Sequence, residues 1–166
     1  AEGAIERAVA EFSEAYLEEF PRFLLEKGGE VLPGVPTLLD ALESEVPGFG
    51  LATGNLRRGA EAKLGHFGLW GRFAGGGFGD RHTVRAELVA AGIIELAGAL
   101  GVAAEPGNAI VLGDTPLDVE AAHIAGARAL GVGTGRFSAA DLLASGAEFA
   151  VDDLANTERV LEILLG

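Results

Sequence analysis

From Val31 onward, short and continuously apolar runs alternate with segments of helical length, and this alternation limits the fold to few choices. The runs are Phe49 to Ala52, Phe73 to Gly76, Ala109 to Leu112, Ala129 to Val132 and Phe149 to Val151. None contains proline, as expected of strands buried on both faces. Between them lie the helical segments Val35 to Ser44, Asn55 to Phe67, Val84 to Leu100 and Pro116 to Ala125. A further helix follows Ser138, where Ser138 and Asp141 have the spacing of a capping box, and the last runs from Asn156 to Leu165. Strand alternating with helix predicts an α/β fold, a doubly wound parallel sheet with helices on both faces.

The first thirty residues follow a different pattern. Ile5, Val9, Phe12, Tyr16 and Phe20 recur at helical spacing among charged residues, Pro21 is expected to end or kink that helix, and Gly28-Gly29 to stop it. A boundary at Gly28 to Val31 therefore divides a helical piece, residues 1–30, from an α/β body, residues 31–166. Composition excludes several functions. With 12 basic and 25 acidic residues the chain carries a net charge of −13, which argues against nucleic acid or an anionic membrane as partner. No apolar stretch reaches the ~20 residues of a membrane span, and no signal-peptide pattern opens the chain, so cytoplasm is the default location. The absence of cysteine removes disulfides, thiolate metal sites and thiol nucleophiles.

In parallel sheets of this kind the functional groups lie just past the carboxyl ends of the strands. After the Ala109 run comes Gly113-Asp114-Thr115-Pro116-Leu117-Asp118. Two carboxylates four residues apart, at a strand end and in the first helical turn, supply hard oxygen ligands of the type Mg²⁺ prefers. Taken alone, the same pair is an N-cap with an acid at the helix terminus. After the first run, Thr53-Gly54-Asn55 offers a hydroxyl and backbone amides to an anion at a helix start, or an ordinary cap. A fixed cation is expected to complete such a site. Arg85 at the start of the long helix is the first choice and Arg81 the second, while Lys63 suits a solvated helix face. His66 and Trp70 suit packing, His82 lies near the expected mouth, and His123 falls within the helix after Asp118; their scatter does not resemble a zinc site.

With these segments together, the chain resembles the haloacid-dehalogenase-like (HAD) superfamily, in particular its phosphoglycolate-phosphatase-like branch, over nearly all of Val31 to Leu165. Val31-Leu-Pro-Gly-Val35 is similar to the hinge returning from a helical cap to the Rossmann-like core, which makes residues 1–30 the remnant of that cap. The resemblance makes Thr53 the phosphate-binding hydroxyl of motif II, with Gly54 and Asn55 beside it. It makes Arg85 the cation of motif III, where lysine followed by proline is more usual. In motif IV it implies Asp114 as the direct Mg²⁺ ligand and Asp118 as the supporting acid at the metal.

Motif I, an Asp-x-Asp pair whose first aspartate is the family's nucleophile, has no counterpart here; Asp152-Asp153 is adjacent and near the end. The expectation is that the nucleophile, its strand and most of the cap lie before Ala1. The resemblance then implies a Mg²⁺-dependent phosphatase that hydrolyses a small phosphorylated metabolite through an aspartyl-phosphate. Two alternatives stand beside it: a phosphomutase using the same intermediate, and a non-catalytic phospho-ligand or protein-binding module. A dehalogenase has no use for Asp114 and Asp118. The implied topology sets the Phe49–Ala52 and Ala109–Leu112 strands two spacings apart, about 10 Å instead of ~4.8 Å, with no ladder between them.

Overall fold

A computed structural model describes residues 2–166. Helix α1 (Glu2–Lys27) leads to α2 (Val35–Glu45), β1 (Leu51–Thr53), α3 (Arg57–His66), β2 (Gly76–Phe78) and α4 (Arg85–Leu100). Then come β3 (Ile110–Gly113), α5 (Pro116–Ile124), β4 (Arg128–Val132), α6 (Ala139–Ala144), β5 (Phe149–Val151) and α7 (Thr157–Leu165). Short 3₁₀ turns at Trp70–Arg72 and Pro106–Asn108 complete the order.

The strands form two parallel ladders. β1 pairs with β2, Leu51 opposite Gly76, and β4 lies between β3 and β5, with Ile110 opposite Arg128 and Leu130 opposite Phe149. Among the described residues no ladder joins β1 to β3, in line with the expectation from sequence. Ala52 and Leu112, apolar residues of these two strands, are exposed.

Alternation along β4 builds the layers, since successive side chains point to opposite faces. Leu130 enters the core of Leu38, Leu42, Val160 and Ile163 beneath α2 and α7. Ala129 faces Val119, Ala122 and Leu142 beneath α5 and α6. Helix α4 extends this second layer across β1 and β2 and meets α5 through Ala86, Val89 and Ala121. Both faces of the β3–β4–β5 ladder are thus covered by helices, as a doubly wound α/β fold requires.

Two local expectations need correction. The ladder strand expected at Phe73 to Gly76 lies at Gly76–Phe78. The aromatic run instead packs, with the Phe73 ring edge-on to Phe49 at 5.5 Å, while glycines carry the ladder because α4 lies almost on the backbone. A Cβ at Gly77 would overlap the Leu88 carbonyl, and one at Gly76 would stand 2.7 Å from the Leu51 carbonyl oxygen. Of the two outcomes expected at Pro21, an end to the helix does not occur, since α1 continues through it to Lys27. Proline removes one N–H donor, and Leu24, 6% exposed, anchors the turn that follows.

α1 rests on α3, where Gly59 leaves room for Tyr16 and Arg58 donates to both carboxylate oxygens of Glu14 at 2.9 Å. Its Ile5, Val9 and Phe12 remain 59–74% exposed. Gly34, at φ 84°, sits in the left-handed region open to glycine and presses on Leu154–Ala155, which fixes the chain's entry into α2. Among the described residues no helix is long and apolar enough to cross a membrane.

Candidate active site

The sequence run Leu112-Gly113-Asp114-Thr115-Pro116 folds as strand, turn and helix start because each residue type suits its place. Thr115 is the N-cap of α5, Pro116 opens the first turn, and Asp118 closes a capping box. The Thr115 amide and hydroxyl donate to Asp118 Oδ2 at 3.0 and 2.7 Å, and Thr115 Oγ1 in turn accepts the Asp118 amide at 3.3 Å. Asp118 Oδ1 accepts from Nη1 of Arg85. Gly113 makes the arrangement possible, since a Cβ there would overlap the Asp118 side chain and stand 2.6 Å from its Cγ.

The Arg85–Asp118 pair brings the first turns of α4 and α5 together at one edge of the sheet. Arg85 follows β2 by a short loop and Asp118 follows β3, so the carboxyl ends of the two ladders meet at this ion pair. Asp118 is only 15% exposed at its side chain and Arg85 is 51% exposed. The acid therefore acts as an anchor, and among the described residues no other protein group accepts from the half-exposed guanidinium. Arg81, the second choice from sequence, reaches Glu95 at 3.4 Å instead.

Asp114 differs from Asp118. It is exposed, and among the described residues no protein group donates to its carboxylate. The loop after β4 walls it on one side, where a Cβ on Gly135 would overlap Oδ2 and come within 3.1 Å of Cγ. Of the two acids proposed for the metal from sequence, Asp114 thus has both oxygens available, whereas Asp118 has both engaged. Among the described residues no group of three or more acidic, histidine or cysteine side chains gathers anywhere. The donor set fits Mg²⁺, which takes one or two carboxylates and fills its remaining positions with water and substrate oxygens.

Thr53 ends β1. Its Oγ1 accepts the Asn55 amide at 3.2 Å, which leaves its own O–H free to donate. Gly54 and Asn55 are exposed. The loop is pinned from the neighbouring strand, with the Gly79 amide on the Asn55 carbonyl at 2.9 Å and Gly79 too close to the Gly54 carbonyl to bear a side chain. α3 begins at Arg57, later than the sequence suggested, and the Arg57 amide donates to Asp80 Oδ1 at 3.0 Å.

The remaining candidates lie elsewhere. His66 stacks edge-on with Phe67 at the end of α3, and Lys63 is exposed in the last turn of that helix. His82 Nδ1 stands 3.6 Å from Glu87, and His123 pairs with Glu148 at 3.1 Å beside the start of β4. Trp70 packs on Phe78 with ring centroids 6.1 Å apart, near the Arg57 guanidinium. Reading the sequence alone missed Thr115 and Gly135. The signal for Gly135 was present, because Gly133-Thr134-Gly135 follows an apolar run as Thr53-Gly54 does.

Comparison with known proteins bears on the fold and the family. The pattern of the HAD-hydrolase-like family matches residues 86–157. No curated protein matches the chain. Among solved structures, a protein described as a β-phosphoglucomutase from Thermotoga maritima superposes with a TM-score of 0.66 at 27% identity, over 80% of this chain and 60% of its own. A protein described as a phosphatase from Clostridium acetobutylicum gives 0.67 at 23% identity, over 80% and 61%. A hydrolase from Pseudomonas syringae gives 0.70 at 20% identity, over 99% and 71%. The chain therefore spans about 60% of the length of the first two.

Proposed function

Because this chain belongs to the haloacid-dehalogenase-like superfamily, we propose that its site transfers the phosphoryl group of a small phosphorylated metabolite to water. The observation that carries this reading is the Arg85–Asp118–Thr115 network beside the unengaged carboxylate of Asp114. A site that only capped α5 would have no need of Arg85 on Asp118, nor of a second acid left open at the end of the same strand.

Each residue has a role that its surroundings support. Thr53 donates its free hydroxyl to one phosphoryl oxygen, and the Gly54 amide and the exposed Asn55 lie in the same turn. Arg85, held by Asp118, pairs with the phosphoryl charge as it builds. Asp114 would hold Mg²⁺ directly, and Asp118 would support that site through Thr115 and Arg85. Bound Mg²⁺ supplies neutralisation of negative charge on the transferring group. The attacking group in this reading is an aspartate carboxylate on a strand between β1 and β3, which no ladder joins among the described residues. It bonds to phosphorus as the P–O bond to the ester's alcohol breaks, and water then cleaves the aspartyl-phosphate to release phosphate and restore the carboxylate. Residues 1–30 would be the end of a cap that covers the site and selects the substrate, in the cytoplasm, and residues 31–166 the core.

The test is phosphate release by the full-length protein, purified free of other phosphatases, across a panel of phosphomonoesters with and without Mg²⁺. Mg²⁺-dependent release is the expected result, and no release from any ester would remove the hydrolase reading. A phosphomutase is the second reading, favoured by the likeness to the protein described as a β-phosphoglucomutase. Its signature is an isomerised sugar phosphate in place of free phosphate.

A further inference from the structure

We infer that Gly135 is a positioning residue for Asp114: by having no side chain, it sets where that carboxylate stands. This inference rests on the metal-site reading given above. Glycine is usually required for one of two reasons, a left-handed backbone or a close approach. The first does not apply, because Gly135 is absent from the glycines with positive φ, so the backbone at 135 accepts alanine. The second applies fully. A Cβ at 135 would overlap Asp114 Oδ2, with Cγ at 3.1 Å and Cβ at 3.4 Å, and these are the nearest atoms it would meet.

Those neighbours decide what gives way. At Gly133, in the same loop, a Cβ would meet backbone: the Ala139 amide nitrogen at 2.9 Å and the Ser138 carbonyl carbon at 3.4 Å. Backbone held in the first turn of α6 cannot step aside cheaply. At Gly135 the obstacle is the end of a short, exposed side chain that no protein group holds. Rotation of Asp114 to another staggered position relieves the overlap. The methyl group is therefore absorbed by the candidate metal ligand and the fold is spared. Asp114 and Asp118 are thus each backed by a glycine, Gly113 from the same strand end and Gly135 from the end of the next strand. Only the second is a tertiary contact.

The experiment compares the full-length parent with Gly135→Ala, Gly133→Ala, Gly98→Ala and Asp114→Asn. Mn²⁺ is the probe, its free concentration followed by electron paramagnetic resonance, and thermal unfolding is recorded on the same samples. Gly98 is the control for adding a methyl group, since a Cβ there meets nothing within 4 Å. The expected result is that Gly135→Ala weakens Mn²⁺ binding by ~10- to 100-fold, the range for groups that orient a metal ligand. Its melting temperature stays close to that of the parent, while Gly133→Ala melts lower and Gly98→Ala keeps the parent's Mn²⁺ affinity and melts no lower, since alanine suits a helix better than glycine. Parent-like Mn²⁺ affinity in Gly135→Ala, with affinity lost in Asp114→Asn, would overturn the inference and leave the metal site standing. A Gly135→Ala protein that melts as low as Gly133→Ala, or without a cooperative transition, would also overturn it, since backbone and not Asp114 would then have yielded. If the parent fails to bind Mn²⁺, or Asp114→Asn binds it equally well, the metal-site reading falls and this inference with it.

Discussion

The two ladders are held together by different means. In the β3–β4–β5 half, large side chains do the packing: Leu130, Leu142 and Val160 are fully buried and Val119 nearly so. In the β1–β2 half, the strand against α4 is built from Gly76 and Gly77, and Gly92 on the helix lies so close to β1 that a Cβ there would stand 2.8 Å from the Leu51 carbonyl oxygen. There the ladder is held by close backbone approach, and charged clamps fasten its surroundings. Arg72, 17% exposed, donates to Asp40 and Glu43 at 2.7 Å each. The Glu43 hydrogen bond, against the opposing effect of burial, holds the Arg72 guanidinium above its ordinary pKa, and Asp40 adds to this. In the proposed site the same difference divides the candidate groups as well as the packing. The side-chain-packed half presents the carboxylates Asp114 and Asp118, and the glycine-packed half presents Thr53 and Arg85. Only where Arg85 meets Asp118 do the two sets of groups touch.

The sharpest test of this division is at the carboxylates. Asp114→Asn is expected to lower kcat/KM by roughly 10²- to 10³-fold, the cost of removing one preorganised charge from a transition-state site. Its unfolding curve should match that of the parent, because no protein group donates to Asp114 among the described residues. Turnover within a few-fold of the parent would break the assignment of chemistry to the β3 end.

The junction comes next. Arg85→Ala should lower kcat/KM by about 10²-fold, whereas Arg81→Ala, whose partner is Glu95, should change it by a few-fold at most. The reverse order would move the cation to the loop before α4 and separate the two halves at the point where they now meet.

Stability sharpens the comparison further. Leu130→Ala leaves a cavity between β4 and the α2–α7 layer, and urea unfolding should show a loss of about 2–5 kcal/mol. Gly77→Ala forces α4 from β2 by adding volume, for about 1–3 kcal/mol. A Leu130 variant as stable as the parent would show that the β4 core is not what holds that half.

The smallest effect concerns pH. Burial pushes the Glu148 carboxyl up, but the Ala129 amide, its own amide and His123 together hold it below the ordinary value of 4.5. A carboxyl with a lowered folded pKa adds stability above the ordinary range, and that stability fades as pH falls through the folded value. Glu148→Gln should therefore flatten the acid limb of the melting temperature below the ordinary carboxyl value of 4.5 and leave turnover unchanged. An unaltered acid limb would show that the link from Glu148 to β4 and His123 contributes nothing.

How much was legible in the sequence varied with the same division. β3, β4 and β5 were readable to within a residue because buried strands packed by side chains must be apolar throughout. β2 was misplaced because a strand packed through its backbone shows glycine where the eye seeks valine or leucine. The capping boxes at Thr115 and Ser138 are local, their partners three residues apart, and both formed. The helix runs past Pro21, as proline costs one N–H donor and does not by itself forbid the turns that follow, where Leu24 is buried.

The sequence by itself determined the alternation of strand and helix, and it set Asp114 and Asp118 at a strand end and in the first turn of the next helix. Backbone hydrogen bonding and side-chain periodicity act over a few residues, so one segment suffices to specify them. The tertiary structure alone decided that Asp118 is tied to Arg85, that Asp114 is left open, and that Gly135 stands against it. Those relations join residues from separate strand ends: β4 pairs with β3, which sets Gly135 against Asp114, and α4 packs beside α5, which sets Arg85 on Asp118.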